Sequence, residues 1–147
     1  MAGTNDINID YEVDTAPQRL VDLVNECITA CPDTVVLVAQ LTPILNSSAQ
    51  ARVEAFNAAF PPLLEQMVGA GKKVLVVDME DYITVEDLID GLHPGDLGYE
   101  GIARAWFDAI ETAAEKGWME KPVGNVNVAS RAAPKKSYSL SYGAQQV

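Results

Sequence analysis

The sequence predicts a partial three-layer α/β/α sandwich: a parallel sheet with helices on both faces, but fewer strands than an independent domain of that class carries. Two Val-rich runs, Thr34–Leu41 and Lys73–Met79, are continuously apolar without period-two alternation, the pattern of strands covered on both sides. Helical periodicities alternate with these runs in the order helix, strand, helix, strand, helix, which calls for right-handed crossovers. With 147 residues, 48% apolar and 21% charged, the chain has the length and mixture of one globular domain.

The first helix is expected from an N-cap at Thr15, with Pro17 in its first turn. It carries Leu20, Val21, Leu23, Val24 and Ile28 until Pro32 stops it. The strand Thr34–Leu41 follows. A second helix is expected after Ser47-Ser48, with Ser48 as its N-cap and Val53, Phe56, Phe60, Leu63, Leu64 and Met67 on one face. Pro61-Pro62 is expected to break it in two before Gly69 and Gly71. After the strand Lys73–Met79 comes a helix over residues 98–116, with Ile102, Ala103, Trp106, Ile110 and Ala113 inward and Gly117 at its end. An open sheet of this class has roughly five or six strands, so strands upstream of Met1 are expected to be missing and the open sheet edge could associate with another chain. Cys27 and Cys31 lie four apart on one helix face and are expected to be small buried hydrophobes. A disulfide between them would be strained.

Residues 1–122 are assigned to the folded domain and 123–147, rich in Ser, Ala, Lys and Gln, to a disordered basic tail. Of the 21 acids, 20 fall within residues 1–115 beside five bases, while residues 116–147 carry five bases and one acid. The acidic body, of net charge −15 within a chain of −11 overall, repels nucleic acid and anionic membranes, and a small-molecule or polysaccharide substrate of low charge suits it better. No apolar run is long enough for a spanning helix, and the N-terminus lacks the pattern of a signal peptide. No metal-ligand spacing occurs, since two thiols or one histidine among scattered carboxylates do not make a site, and no cofactor is expected.

In open parallel sheets ligands bind beyond the carboxyl ends of the strands. Three segments belong there: Gly3-Thr-Asn-Asp6 with the irregular acidic stretch after it, Gln40–Asn46, and Asp78–His93. His93 is the only histidine. It stands on a loop shaped by Gly91, Pro94, Gly95 and Gly98, and an imidazole can accept a proton near neutral pH. Asp90, three residues earlier, is within turn distance to orient the ring and stabilise its cation. Asn5 offers a carboxamide that can donate to a developing oxyanion, or else serves only as an Asx-turn residue shaping its loop.

Gly3-Thr-Asn-Asp-Ile-Asn8 resembles the third conserved block of the SGNH hydrolases, the GDSL-type esterases and lipases. Asp90-Gly-Leu-His-Pro94 with Gly98-Tyr99 resembles their fifth block. Over residues 1–122 the order of elements also matches, and the similarity is greatest to carbohydrate esterases that remove acetyl groups from xylan. The resemblance implies His93 as general base, Asp90 as its orienting acid, Asn5 as an oxyanion-hole donor and Gly3 as a shaping residue. The family's nucleophilic serine and its glycine block have no counterpart here. Ser47 and Ser48 sit at a helix entrance with nothing to bring either to His93. The chain is therefore expected to be the truncated C-terminal part of a Ser-His-Asp ester hydrolase, inactive alone, or else a non-catalytic, partner-binding module of the same fold. Secretion is expected for the parent enzyme only by analogy.

Overall fold

The computed structural model describes residues 2–119, so the assignment of a tail over 123–147 lies outside the described residues. Along the chain come α1 (Thr4–Ile9), a short 3₁₀ turn (Val13–Thr15), α2 (Ala16–Ala30), β1 (Val36–Ala39), α3 (Ser47–Gly69), β2 (Val74–Val77), a second 3₁₀ turn (Val85–Asp87) and α4 (Asp96–Glu115). The two strands pair in parallel, with Val36 opposite Val74 and Ala39 opposite Val77. Successive side chains leave opposite faces of a strand. Val36, Val38, Val74 and Val76 accordingly pack with α1, α2 and α3, whereas Leu37, Ala39, Leu75 and Val77 pack against α4. Each strand is thus apolar on both sides, as its unbroken run of Val and Leu requires, and the expected α/β/α layering is present with two strands.

Several sequence expectations are corrected. The acidic stretch after Asp6 is not irregular where it begins, because Thr4–Ile9 forms a helix. So short a helix is held by its neighbours, because Arg52 of α3 donates from Nε to the Ile7 carbonyl (2.7 Å) and from a guanidinium NH2 to that of Asn8 (3.0 Å), filling acceptors that a helix end leaves open. Arg19 of α2 pairs with Asp6 at 2.8 Å. The N-cap of α3 is Asn46, not Ser48, its Oδ1 accepting from Ser48 N and Ala49 N. Pro61-Pro62 does not divide α3, which runs unbroken through both prolines. An interior proline costs about 3 kcal/mol, and burial of Phe56, Phe60 and Leu64 on either side offsets it.

The cysteines are exposed and unbridged, not buried. Cys31 is the residue that ends α2, and Cys27 lies beside Leu23 along the edge of β1 that pairs with no strand among the described residues. In α4 the buried face is rotated from the expected one: Gly98, Ala105, Ala109 and Ala113 face inward, Ile102 and Trp106 are half-buried, and Ala103 and Ile110 are exposed. The helix packs through small residues because its backbone approaches the chain after β2. A Cβ on Gly101 would lie 2.1 Å from the Tyr82 carbonyl oxygen.

Candidate functional site

The segment joining β2 to α4 is built from local hydrogen bonds. Thr84 and Asp87 form a capping box at the second 3₁₀ turn, satisfying its first donors reciprocally. Leu88 and Pro94 then pair as an antiparallel bridge, with Ile89 N–H donating to the His93 carbonyl at 2.9 Å. The closed loop carries Gly91 at its tip with φ +82°, a conformation that favours glycine. A Cβ at Gly91 would also meet Leu45 Cβ at 2.9 Å, and Leu45 N–H donates to the Gly91 carbonyl at 2.8 Å. Gly95 N–H donates to the Asp87 carbonyl at 2.7 Å, and Gly98 of α4 seats on Pro94 and Asp87. The loop is therefore fixed from the β1 side and from the α4 side.

Asp90 and His93 meet inside it. Asp90 Oδ1 accepts from the backbone N–H groups of His93 (2.7 Å) and Leu92 (3.0 Å), and Oδ2 lies 2.7 Å from His93 Nδ1. These bonds, led by the one from the His93 backbone and followed by the ring, lower the Asp90 carboxyl from 3.8 to about 2. Each favours the charged form. An ionised carboxylate can only accept, so Nδ1 carries the shared proton and Nε2 of the neutral ring keeps its lone pair. Both side chains remain open to solvent, 53% for Asp90 and 64% for His93. A substrate can reach the ring.

Asn5 stands exposed in the first turn of α1. Gly3 before it takes φ +113°, and a Cβ there would sit 3.4 Å from Phe56 and 3.9 Å from Leu41. Leu41 begins the segment that ends at Leu45, so the start of α1 and the dyad loop border the same chain stretch beyond the carboxyl end of β1. The same sequence reasoning missed the two residues that hold that stretch. Asn57 is 3% exposed; its Oδ1 accepts from Leu41 N–H (2.8 Å) and its Nδ2 donates to the Leu41 carbonyl (3.0 Å). An amide four positions after Val53, inside the apolar stripe of α3, was the available signal. Leu45, exposed and aliphatic, gave none.

Ser48 Oγ bonds Asn46 Oδ1 at 2.7 Å, at the N-terminus of α3. Among the described residues no group of three His, Cys, Asp or Glu side chains is placed to hold a metal ion, and no helix is long and apolar enough to cross a membrane.

No family model matches the chain. A curated protein of Acetivibrio thermocellus provisionally named endoglucanase X is 30% identical over 108 residues, covering 71% of this chain and 45% of that protein. The fold is similar to the crystal structure of an acetyl esterase variant with acetate ion, with TM-score 0.69, 28% identity, and coverage of 80% of this chain and 57% of that one. It is also similar to a family 3 carbohydrate esterase of Clostridium thermocellum, with TM-score 0.64, 25% identity, and coverage of 80% and 56%. A family 3 carbohydrate esterase of Talaromyces cellulolyticus gives TM-score 0.67 at 28% identity, with coverage of 78% and 56%. The chain carries part of an SGNH-hydrolase fold. It spans little more than half the length of these SGNH esterases and less than half of the curated relative, and its likeness to them supports a hydrolase of esterase type.

Proposed function

We propose that His93, Asp90 and Asn5 are the base, its orienting acid and an oxyanion donor of a Ser-His-Asp carbohydrate ester hydrolase. The observation that carries this reading is the 2.7 Å contact between Asp90 Oδ2 and His93 Nδ1 on a loop pinned at both ends. In the reaction His93 Nε2 accepts the proton of a serine hydroxyl as its oxygen attacks the ester carbonyl. Asp90 stays ionised and stabilises the imidazolium, and the Asn5 amide donates to the tetrahedral oxyanion. His93 then returns the proton to the leaving alcohol, and water releases the acyl group by the same exchange. The likeness to acetyl and carbohydrate esterases supports an acetylated saccharide as the substrate class.

The serine belongs to the blocks without counterpart here, and Ser48, the alternative, is bonded to Asn46. Removing a triad nucleophile costs about 10⁶-fold in related acyl transfer, so the chain alone hydrolyses p-nitrophenyl acetate at close to the buffer rate. Grafting this chain in place of the matched part of the Clostridium thermocellum esterase tests the roles directly. Hydrolysis that requires His93 supports the proposal; a folded chimaera whose activity is unchanged by His93→Ala refutes it.

The alternative, a non-catalytic module of the same fold, is favoured by one observation. The edge of β1 that pairs with no strand among the described residues forms a groove of about 140 Å³ with Leu20, Leu23, Val24 and Cys27 of α2, and Leu23 is 48% exposed. Such an edge accepts an extended strand. A concentration-dependent mass in light scattering, abolished by Leu23→Lys, supports this second account, and a strict monomer opposes it.

A further inference from the structure

In a parallel ladder alternate residues of a strand turn their backbone groups to one neighbour, and the residues between turn theirs to the other. Val36 N–H donates to the Lys73 carbonyl (2.9 Å) and Gln40 N–H to that of Val77 (3.0 Å), so these positions face β2. Leu37 and Ala39 therefore present their N–H and carbonyl groups at the opposite edge of β1, which pairs with no strand among the described residues. Leu20, Leu23, Val24 and Cys27 of α2 overhang that edge, while α4, on the other face of the sheet, lines no part of the groove. A strand added there is covered on the α2 face alone. Such a strand alternates apolar and polar residues, unlike the unbroken runs of β1 and β2.

The sequence beyond the described residues holds a segment of that kind. Ser137-Tyr-Ser-Leu-Ser-Tyr142 alternates strictly, which puts Tyr138, Leu140 and Tyr142 on one face of an extended chain and the serines on the other. Val126 and Val128 also alternate, but with asparagine, which strands disfavour.

Charge and topology set the direction. A strand running parallel to β1 from residue 137 brings Lys135 and Lys136 to the amino end of β1, where Glu26 and Asp33 are exposed. The last turn of α2 ends beside them without a base of its own, and the carbonyls of a helix end attract cations. Between β1 and β2 the chain crosses one face of the sheet through α3, and α4 lies on the other face. A connection from β2 through α4 to the far side of β1 reverses both direction and face, so it has the same hand as the first crossover, as parallel connections require. Residues 120–136 reach up to about 55 Å when extended, well beyond the roughly 10 Å of two strand spacings.

We infer that residues 137–142 dock in this groove as a third strand parallel to β1, with Tyr138, Leu140 and Tyr142 beneath α2. The inference is independent of the ester-hydrolase reading, and it gives the edge an occupant other than a second chain. Amide hydrogen exchange on the full chain tests it. The Leu37 and Ala39 amides exchange about 100-fold more slowly than in Leu140→Pro, a substitution that removes a ladder donor and the central apolar side chain. The Gln40 amide, bonded to Val77, keeps its rate in that variant, and Gln145→Pro, beyond the segment, leaves Leu37 and Ala39 protected. The inference is overturned if Leu37 and Ala39 exchange as freely as an exposed loop, or if their protection survives Leu140→Pro. Loss of protection that extends to Gln40 or follows Gln145→Pro equally overturns it, as does protection that grows with protein concentration, the mark of a second copy on the edge.

Discussion

Replacing Asn57 by alanine removes both halves of a clasp that the rest of the fold cannot rebuild. Leu41 is 1% exposed and its N–H and carbonyl are each bonded to the Asn57 side chain. Alanine leaves one donor and one acceptor buried without partners, at about 1–3 kcal/mol each. Taking the lower part of that range gives a loss of about 3 kcal/mol, a large share of the 5–15 kcal/mol that stabilises an ordinary domain. For a domain of this size that is a fall in Tm of roughly 12 °C. Asn57→Asp is expected to do worse at neutral pH, because a carboxylate still accepts from Leu41 N–H but faces the Leu41 carbonyl with a buried charge. Urea unfolding followed by circular dichroism measures both variants, and exchange of the Leu41 amide locates the damage. A loss below 0.5 kcal/mol for Asn57→Ala, an amount at the scale of ordinary surface substitutions, with Leu41 still protected, would refute the argument.

Gly101→Ala should destabilise by about 3 kcal/mol, since its Cβ would fall 2.1 Å from the Tyr82 carbonyl oxygen and outweigh the roughly 1 kcal/mol that alanine gains in a helix; thermal unfolding beside the exposed propensity control Ala103→Gly, which should lose about 1 kcal/mol, checks it. Because the Asp90 carboxyl is lowered to about 2, the order it gives the loop is fully present above its ordinary value and lost as pH falls through the lowered one. The amide shifts of Leu92 and His93 should therefore report the change between about pH 4 and pH 2, and Asp90→Asn should abolish it. In the wild type, ¹⁵N shifts of the neutral His93 ring should show the proton on Nδ1, and Asp90→Asn should redistribute it between the two nitrogens. Tyr82 donates to Asp108 at 2.6 Å, and that bond leads the causes raising its phenol above 10.0. Its contribution to stability is present below the ordinary value and lost as pH rises through the raised one, so Asp108→Asn should bring the ultraviolet titration of Tyr82 to lower pH.

The layering was legible because buried parallel strands leave a mark on composition: with both faces of β1 and β2 covered, neither could spare a polar position. The Asp90–His93 pair was legible for a related reason, since a three-residue separation on a glycine-rich loop leaves few ways for the two to avoid each other. Other features were set by partners distant in sequence. Nothing around Thr4–Ile9 announces a helix, because its end is satisfied by Arg52, forty-five residues away from Ile7. Pro61-Pro62 reads as a break, yet the aromatic and aliphatic side chains around it are buried deeply enough to carry the helix across. The face of α4 was misjudged because large apolar residues were taken to point inward. The contact is made instead by glycine and alanine, which carry little weight in a hydrophobic pattern.

That row of small side chains governs how far the Asp90–His93 loop can wander. A helix seated on long, flexible residues can slide or roll by exchanging rotamers, whereas one resting backbone against backbone at Gly98 and Gly101 has no such slack. Because α4 begins three residues after His93, the imidazole inherits the stillness of the helix behind it. Large residues added to the outer face of α4 should be harmless, while a single methyl on the inner face displaces the ring.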